Sequence, residues 1–313
     1  MVAAMDHAGR IQAQQLTKRF GKVEAVRGLD LDVAPGEIFA LIGPDGAGKT
    51  TTIRMLAGVM KPTSGTASVG GLDTGRQAEQ LRAQVGYMAQ RFSLYGDLSV
   101  RENLEFYADI FGVRGAAREQ QIQRLLRFAR LVEFQGRDAG VLSGGMKKKL
   151  GLACALIHHP KVLFLDEPTN GVDPVSRREF WDILSDLHLE GVTIFLSTAY
   201  MDEAERCARV GLMYQGEIIR QGAPQELRQL VKGELLAVIT PDGVRAEATV
   251  QGLAGISEVQ AYGDRLHLFV DDAAQRLPQV AAALAAAGVP VSELRPARPH
   301  LQEVFISLIT HQK

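Results

Sequence analysis

The sequence predicts an α/β protein built around a parallel sheet, followed by a smaller α+β domain. Three observations support this fold class. The apolar runs "IFALI", "VLFLD" and "VTIFLST" are unbroken, as is typical of strands that are buried on both faces of a parallel sheet. A helical pattern over about 174–189 separates the last two runs, as a crossover between parallel strands requires. From about residue 233 the composition changes to short strands and an alanine-rich helix, which indicates a separate domain.

The first elements are strands, which begin near residue 11 and lead into a helix. Leu29, Leu31 and Val33 stand on alternate positions before the turn "PGE", and the apolar run "IFALI" follows that turn. The segment "KTTTIRMLAGVM" has helical character. We expect this helix to end near Lys61 and Pro62, because proline cannot continue a helix.

A helical insertion is predicted over about 90–150, between two strand regions. Ser99 and Glu102 form a capping-box pattern at its first helix, and "REQQIQRLLRFARLV" has the spacing of a second, amphipathic helix. Beyond the insertion, Asp173 and Pro174 are a favourable N-cap and N1 pair for the crossover helix. A hairpin is expected around Gln215-Gly216.

Composition and charge narrow the setting. With 313 residues, 46% of them hydrophobic, the chain can bury a full core and form more than one folding unit. A formal net charge of −1 gives no indication of a nucleic-acid partner. Cys154 and Cys207 lack metal-binding spacing, so we interpret both as reduced packing residues of a cytoplasmic protein. The chain has no run of about 18 uncharged apolar residues, so we expect no membrane-spanning helix.

The segment "GPDGAGKTTT" matches the pattern G-x-x-x-x-G-K-[ST], which predicts a P-loop NTPase core that cradles a nucleotide phosphate. Its glycines let backbone N–H groups converge on phosphate oxygens at the N-terminus of the next helix. Lys49 would place a charge on the β- and γ-phosphates, and Thr50 would place its hydroxyl on Mg²⁺. The alternative is a chance glycine turn before a helix. The predicted nucleotide contacts in this segment are Gly43, Pro44, Asp45, Gly46, Ala47, Gly48, Lys49, Thr50 and Thr51.

A second candidate site follows the strand "VLFLD". Asp166 is predicted at the carboxyl end of this buried strand, where α/β sheets present their ligands, and it could hold Mg²⁺ through water. Glu167 is then placed to orient and deprotonate an attacking water as a general base. The alternative is an acidic pair on the surface.

A third candidate site lies in "LSGGMKKKLGLACAL". Ser143, Gly144 and Gly145 open a helix, so a hydroxyl, free backbone N–H groups and a helix N-terminus form a second anion site. A protein with one nucleotide site has no use for a second anion site, so we expect it to complete the site of another subunit. An ordinary capped turn is the alternative interpretation.

Taken together, these motifs resemble those of the nucleotide-binding subunit of an ATP-binding cassette (ABC) transporter. The family's motifs occur in order over about 10–232: "GPDGAGKT" as Walker A, Gln90 as the Q-loop, "LSGGM" as the signature, "VLFLDE" as Walker B and "NGVD", ending in Asp173, as the D-loop. The resemblance implies a cassette with a β-subdomain and the helical insertion. It also implies ATP and Mg²⁺ as ligands, the metal being held by Thr50, Gln90 and Asp166.

The same resemblance implies partners and further roles. Two cassettes would sandwich two ATP molecules and drive membrane-spanning permease subunits, from a peripheral position on the inner face of the cell membrane. Glu167 and Gln90 would be catalytic, Asp173 would contribute to the nucleotide interface, and Phe20 would stack on the adenine ring. Phe20 could instead be a core aromatic. The segments "AQRFSLYGDLSVRENL" and "PHLQEVFISLI" resemble the branch that exports drugs and other hydrophobic or polymeric substrates.

These features predict three divisions of the chain. Residues 1–10 are expected to be an N-terminal tail, residues 11–232 the cassette and residues 233–313 an accessory α+β domain that is regulatory or stabilises a dimer. The insertion over about 90–150 would face the membrane subunit.

Two positions depart from the family pattern. Met146 stands where the signature usually ends in Gln, and we expect little effect because the serine and glycines are intact. Ala199 follows "VTIFLST", where the family places a His that contacts the γ-phosphate. We expect no neighbouring histidine to replace it: His188, His158 and His159 are interpreted as surface residues. The run Lys147 to Lys149 is interpreted as a solvated helix face that also favours nearby phosphate.

The resulting functional prediction is an ATP-hydrolysing subunit that powers an exporter. Because of Ala199, a hydrolytically weak regulatory partner remains an alternative. A soluble cassette protein that acts outside transport is the other one, although such proteins usually join two cassettes or carry long helical insertions.

Overall fold

The computed structural model describes residues 8–91, 94–230 and 233–310. The chain divides into two compact units, Met1–Ala223 and Pro224–Lys313. The boundary expected from the sequence lies after residue 232, so a short helix that we assigned to the cassette belongs to the second unit. Most of the expected tail at 1–10 lies outside the described residues.

The first unit begins with an antiparallel sheet in the strand order β2-β1-β4-β5. Its strands are β1 (Ile11–Phe20), β2 (Val23–Val33), β4 (Ser64–Val69) and β5 (Leu72–Asp73). Leu29, Leu31 and Val33 are buried on one face of β2, as their alternation predicts. They join a core that also contains Phe39 and Phe164 of the neighbouring sheet.

The central sheet of the first unit has six strands in the order β10-β9-β3-β8-β7-β6. These are β3 (Ile38–Ile42), β6 (Val85–Met88), β7 (Val162–Asp166), β8 (Thr193–Thr198), β9 (Arg209–Tyr214) and β10 (Glu217–Gly222). Neighbouring strands are parallel except for the β9–β10 hairpin, which turns at Gln215 and Gly216. Every residue of β3, β7 and β8 is buried, which confirms the interpretation of their apolar runs.

Helices cover the sheet and form the insertion. They are α1 (Lys49–Leu56), α2 (Ala78–Arg82), α3 (Val100–Ile110), α4 (Gly115–Phe128), α5 (Gly144–Ala155), α6 (Pro174–Leu189) and α7 (Met201–Ala204). The capping box of Ser99 and Glu102 at α3 is confirmed. Helix α1 ends earlier than the predicted position near Pro62, because Gly58 adopts a left-handed φ of 66° and turns the chain.

Between a helix at each end, the second unit has the strand and helix order β-α-β-β-α-β, as in ferredoxin-like domains. Its antiparallel sheet runs β12-β13-β11-β14. The elements are α8 (Pro224–Arg228), β11 (Glu234–Ile239), α9 (Gly243–Val250), β12 (Ile256–Tyr262), β13 (Arg265–Val270), α10 (Ala273–Ala286), β14 (Glu293–Ala297) and α11 (Leu301–Thr310). Helix α9 and strand β14 were not expected from the sequence. Within the described parts of the chain, no helix is both long and apolar enough to cross a bilayer.

Candidate functional site

The candidate site lies at one edge of the central sheet. Strands β3, β8 and β7 are neighbours and run parallel, so their carboxyl ends meet at that edge. The phosphate loop follows β3, Asp166 ends β7 and Ala199 follows β8. The fold therefore brings the Walker A segment and the Walker B acids together, at the place where parallel sheets bind their ligands.

The phosphate loop requires glycine for two separate reasons. A Cβ at Gly43 would lie 2.2 Å from the backbone oxygen of Met213, so any side chain would collide with β9. Gly48 has a φ of 109°, and a Cβ there would lie 2.4 Å from the backbone oxygen of Ala25. The loop therefore packs backbone against backbone, and it holds the N-terminus of α1 in place for a phosphate.

Lys49 is almost completely buried and connects the loop to the Walker B acids. Its Nζ donates hydrogen bonds to the carbonyl oxygens of Gly43 at 2.7 Å and Pro44 at 3.0 Å. The same Nζ lies 3.4 Å from Oε1 of Glu167, whose side chain is 8% exposed. A buried cation and a buried carboxylate thus neutralise each other at the base of the loop.

Asp166 has the chemistry expected of a magnesium ligand. Its Oδ1 accepts hydrogen bonds from Thr50 Oγ1 at 3.0 Å and from Ser197 Oγ at 2.8 Å. Its Oδ2 is buried and has no hydrogen-bond partner within the described residues. Among those residues there is no cluster of three or more His, Cys, Asp or Glu side chains. Mg²⁺ sites of this kind need only one or two carboxylates beside substrate phosphates, so a carboxylate with a free oxygen next to a hydroxyl fits Mg²⁺.

Glu167 is held from several sides. Its backbone φ of 46° is unusual for a residue other than glycine, and such strained conformations are concentrated at functional sites. The backbone N–H donates to Ser197, with 3.0 Å to Oγ and 3.2 Å to the carbonyl oxygen. Its Oε2 accepts from Gln90 Nε2 at 2.7 Å and from Asn170 Nδ2 at 3.1 Å. The carboxylate therefore has a defined orientation at the site.

Three polar residues at this site were missed by the sequence analysis. Ser197 and Asn170 orient the two acids, and Lys148 donates from its Nζ to the carbonyl oxygens of Gln90 at 2.9 Å and Glu167 at 3.3 Å. Burial lowers the pKa of the Lys148 ammonium, and the negative charges of Asp166 and Glu167 oppose that shift. The interpretation of Lys147 to Lys149 as a solvated face is therefore wrong for Lys148.

Lys149 also departs from that interpretation. Its side chain is 8% exposed and its Nζ lies 2.8 Å from Oε2 of Glu179 on α6. Lys147 bonds the carbonyl oxygen of Gly140 at 2.7 Å. Each lysine thus has a fixed partner, and the three point in different directions around α5.

The signature residues are placed differently from the acids. Ser143 and Gly144 are exposed at the start of α5, and Ser143 Oγ accepts a hydrogen bond from the backbone N–H of Met146 at 3.3 Å. Gly145 is buried, and a Cβ there would lie 2.5 Å from the Cβ of Ser176 at the start of α6. The signature therefore presents a capped helix N-terminus to solvent.

Two further predicted contacts lie at the surface. Phe20 ends β1 with 48% of its surface exposed, and the Lys18 ammonium lies 5.2 Å from its ring centre. Asp173 caps α6, accepting from the N–H groups of Val175 at 3.1 Å and Ser176 at 2.9 Å. The bond from Ser176 is the largest cause that lowers the pKa of Asp173. Phe20 is thus no core aromatic, and its role toward adenine stays a prediction.

Ala199, which stands where the family places a His, is exposed just after β8. The interpretation of His158 as a surface residue is wrong. Its ring stacks on Phe111 with centres 3.8 Å apart, and a ring nitrogen lies 3.2 Å from the carbonyl oxygen of Val85. Burial lowers the pKa of His158 to about 4. His188 is exposed, as expected.

Comparisons with known proteins agree with this geometry. The sequence model of the ABC transporter family matches residues 26–170, and that of the C-terminal domain of DrrA1-3-like ATP-binding proteins matches residues 222–309. The daunorubicin resistance ATP-binding protein DrrA2 of Streptomyces coeruleorubidus is 36% identical over 307 residues, covering 96% of this chain and 95% of that protein. The chain belongs to the ABC transporter family. Its cassette is an ATP-binding, ATPase-type domain, which is the fold that the sequence predicts.

Other relatives of this ABC protein include the probable multidrug ABC transporter ATP-binding protein YbhF of Escherichia coli, which is 52% identical over 228 residues. That match covers 72% of this chain but only 39% of YbhF. A dimeric post-hydrolysis ATP-binding cassette bound to ADP and Pi superposes with a TM-score of 0.63 and 26% identity, covering 68% of this chain and 98% of that one. The structure of an ATP-binding subunit of an ABC transporter superposes with a TM-score of 0.65 and 29% identity, covering 70% of this chain and 92% of that one.

Proposed function

We propose that this protein hydrolyses ATP to power an ABC exporter of drugs or other hydrophobic compounds. The observation that carries the proposal is the arrangement of Glu167, which Lys49, Gln90 and Asn170 hold beside the phosphate loop. A general base must lie within reach of its water and keep one orientation, and these contacts supply both conditions. Relatives named for daunorubicin resistance and linearmycin resistance support the class of transported compound.

The residues of the site divide the chemistry among them. Lys49 and the loop N–H groups bind the β- and γ-phosphates, and Thr50 with Asp166 would hold Mg²⁺. When bound, Mg²⁺ neutralises charge on the phosphate oxygens. Glu167 accepts the proton of the attacking water, while Gln90 orients the Glu167 carboxylate through its side-chain amide. Gln90 as a direct metal ligand stays part of the proposal.

A second cassette completes the proposed site. Ser143 and Gly144 are exposed, so they can bind the γ-phosphate of a nucleotide held by another subunit. Asp173 would lie in the same interface, and Phe20 would stack on the adenine. The supporting observation is that Ser143, Gly144 and Asp173 are exposed. Lys49 and the Walker B acids are buried instead, where Lys49 contacts Glu167 and Thr50 bonds Asp166.

Membrane partners follow from the family membership. We propose that permease subunits bind the insertion over about 90–150 and hold this chain at the inner face of the cell membrane. The Nod factor export ATP-binding protein I of Burkholderia pseudomallei, 40% identical over 264 residues, is named for export. Two relatives that match nearly the full chain are named for drug resistance. These names favour transport over a soluble role outside the membrane.

Ala199 favours a refinement of this proposal, in which hydrolysis at this chain's own Walker A is slow. The missing contact to the γ-phosphate is commonly worth about 10²–10³ in rate. A second cassette that retains its His would then provide the faster site, by pairing its Walker A with Ser143 and Gly144 here.

Reconstitution tests the proposal. The protein should co-purify with membrane-spanning chains from detergent-solubilised membranes. Proteoliposomes that contain these chains, with the ATP-binding subunit facing outward, should take up a fluorescent hydrophobic drug when ATP is added. Glu167→Gln should stop uptake without weakening nucleotide binding. Co-purification with ribosomes or nucleic acid instead, and no transport activity, would overturn the proposal.

A further inference from the structure

A buried carboxylate lies directly behind the position of Ala199. Glu203 belongs to α7 and has 1% of its side chain exposed. Its Oε1 accepts a short hydrogen bond from Thr169 Oγ1, and its Oε2 accepts one from Thr198 Oγ1 at 2.9 Å. Nε of Arg177, on α6, lies 3.5 Å from Oε1. Both carboxylate oxygens are thus occupied, as a buried charge requires.

One threonine ends strand β8 and the other lies in the loop that follows Glu167. Thr198 is the last residue of β8, and its Oγ1 also accepts the backbone N–H of Tyr200 at 2.9 Å. Ala199 therefore lies between two residues that are joined by a hydrogen bond, from the N–H of Tyr200 to the hydroxyl of Thr198. The backbone at position 199 is held from both sides, although its side chain is only a methyl group.

Thr169 stands in the loop that leads from Glu167 to the cap of α6. Its carbonyl oxygen accepts the N–H of Val172 at 3.1 Å, and the next residue, Asn170, donates to the Glu167 carboxylate at 3.1 Å. Contact with Glu203 therefore reaches the general base through a single neighbour.

Arg177 gives the connection its charge balance. Its guanidinium lies 4.2 Å from the ring centre of Tyr200 and 3.9 Å from Oδ2 of Asp202, in addition to its contact with Glu203. A neutral side chain at position 203 would remove the closer of the two acids that Arg177 contacts, since Asp202 is 3.9 Å away. The Glu203 carboxyl group is thus part of the packing between α6 and α7.

We propose that Glu203 is a positioning residue that holds position 199 and the loop 167–173 as one unit. This inference rests on the proposed hydrolysis at Glu167, and it adds a consequence for Ala199. Because the side chain at 199 takes no part in these contacts, the backbone at position 199 is preorganised to carry a phosphate-contacting residue. A His at position 199 can contact the γ-phosphate only as long as Glu203 holds the backbone there in place.

A double-mutant cycle tests the catalytic part. Ala199→His should raise kcat several-fold at saturating ATP, whereas the same change in a Glu203→Gln background should give little or no gain. The matched control is Glu37→Gln. Glu37 is also a poorly exposed carboxylate that binds one arginine, with Arg209 Nε at 2.6 Å, but it precedes β3 at the opposite edge of the sheet. The gain from Ala199→His should persist in that background.

Hydrogen exchange tests the structural part without using activity. Glu203→Gln should speed exchange of the amides of Tyr200 and Val172 together, by roughly tenfold, while Glu37→Gln leaves both unchanged. If Glu203→Gln does not fold, Thr198→Val and Thr169→Val each remove one half of the connection, and each should loosen both loops.

The outcomes separate this inference from the proposed function. Faster exchange in only one loop, or an equal gain from Ala199→His with and without Glu203, would overturn the inference. Absence of ATP binding and hydrolysis in the unaltered protein would instead overturn the proposed function, and the exchange result would then still decide whether Glu203 joins the loops.

Discussion

Two regions of the cassette present their polar groups in opposite ways. At the phosphate loop, Lys49, Asp166 and Glu167 are buried and contact one another or their neighbours. At the start of α5, Ser143 and Gly144 face solvent. Under the proposed function, the first region acts on a nucleotide that this chain binds itself. The second is suited to a nucleotide that another chain binds, so changes in the two regions should separate ATP binding from association.

The largest effect is expected from Lys49→Ala, which removes the cation of the phosphate loop. ATP binding should weaken by at least about 10²-fold, because charge-assisted bonds worth roughly 3 kcal/mol are lost. Calorimetric titration measures this. Ser143→Ala, the matched change in the other region, should leave the affinity of the isolated chain unaltered. Unchanged affinity in Lys49→Ala would show that the loop is not the site.

Glu167→Gln should separate binding from chemistry. We expect hydrolysis to fall by about 10²–10⁴, the usual contribution of a general base, while ATP affinity is retained. The amide can still accept hydrogen bonds from Gln90 and Asn170, so the fold should be preserved. Size-exclusion chromatography with ATP should then show an accumulated dimer. A variant that hydrolyses ATP at the parent rate would remove Glu167 from the proposed chemistry.

Ser143→Glu should affect the other region alone. A carboxylate at the exposed helix start would repel a partner's phosphate, so the ATP-dependent dimer of the Glu167→Gln variant should disappear. Binding of ATP to the single chain should stay within about twofold. Sedimentation with and without ATP measures the association. Persistence of the dimer would mean that the signature does not face a partner's nucleotide.

Lys148→Met tests the connection between the regions, since Lys148 begins on the signature helix and bonds to the carbonyl oxygens of Gln90 and Glu167. We expect kcat to fall about tenfold, equivalent to roughly 1.4 kcal/mol in the barrier, with little change in ATP affinity. Lys148→Arg should restore part of the rate. The control is Lys161→Met, an exposed lysine before β7.

The smallest effect concerns acid stability outside both regions. The pKa of His158 is depressed to about 4 in the folded protein, so between pH 6.5 and 4 the unfolded chain binds more protons. Stability is therefore fully present above pH 6.5 and decreases as the pH falls through this window. His158→Gln should reduce the difference in melting temperature between pH 7 and pH 5 by roughly 3 °C. His188→Gln, at an exposed position, should leave that difference unchanged.

The sequence predicted the parts of the site that motifs define and missed the parts that only folding brings together. Lys49, Asp166 and Glu167 follow strands whose apolar runs are unmistakable, so their meeting could be derived. Ser197 is one hydroxyl within a buried strand, and nothing in its surroundings along the chain distinguishes it from a packing residue. Its role depends on the pairing of β7 with β8, which places it opposite Asp166.

The lysines of α5 and the last strand illustrate the same limit. Lys147, Lys148 and Lys149 are identical in type and consecutive, but the partners of Lys148 and Lys149 come from distant segments such as Glu179. Strand β14 was missed because it contains Pro296, which argues against a central strand. The order β12-β13-β11-β14 puts that strand at an edge, where a proline is tolerated.

The close packing of Gly145 against Ser176 constrains the distance between the starts of α5 and α6. Helices α5 and α6 begin so close together there that even a methyl group on Gly145 would lie 2.5 Å from the serine side chain. The two helix starts therefore keep a spacing that leaves no room for a side chain on Gly145. Ser143 and Asp173 are the N-caps of these two helices, so the distance between them is fixed by the helix packing. A chain that docks on one of them must match the position of the other.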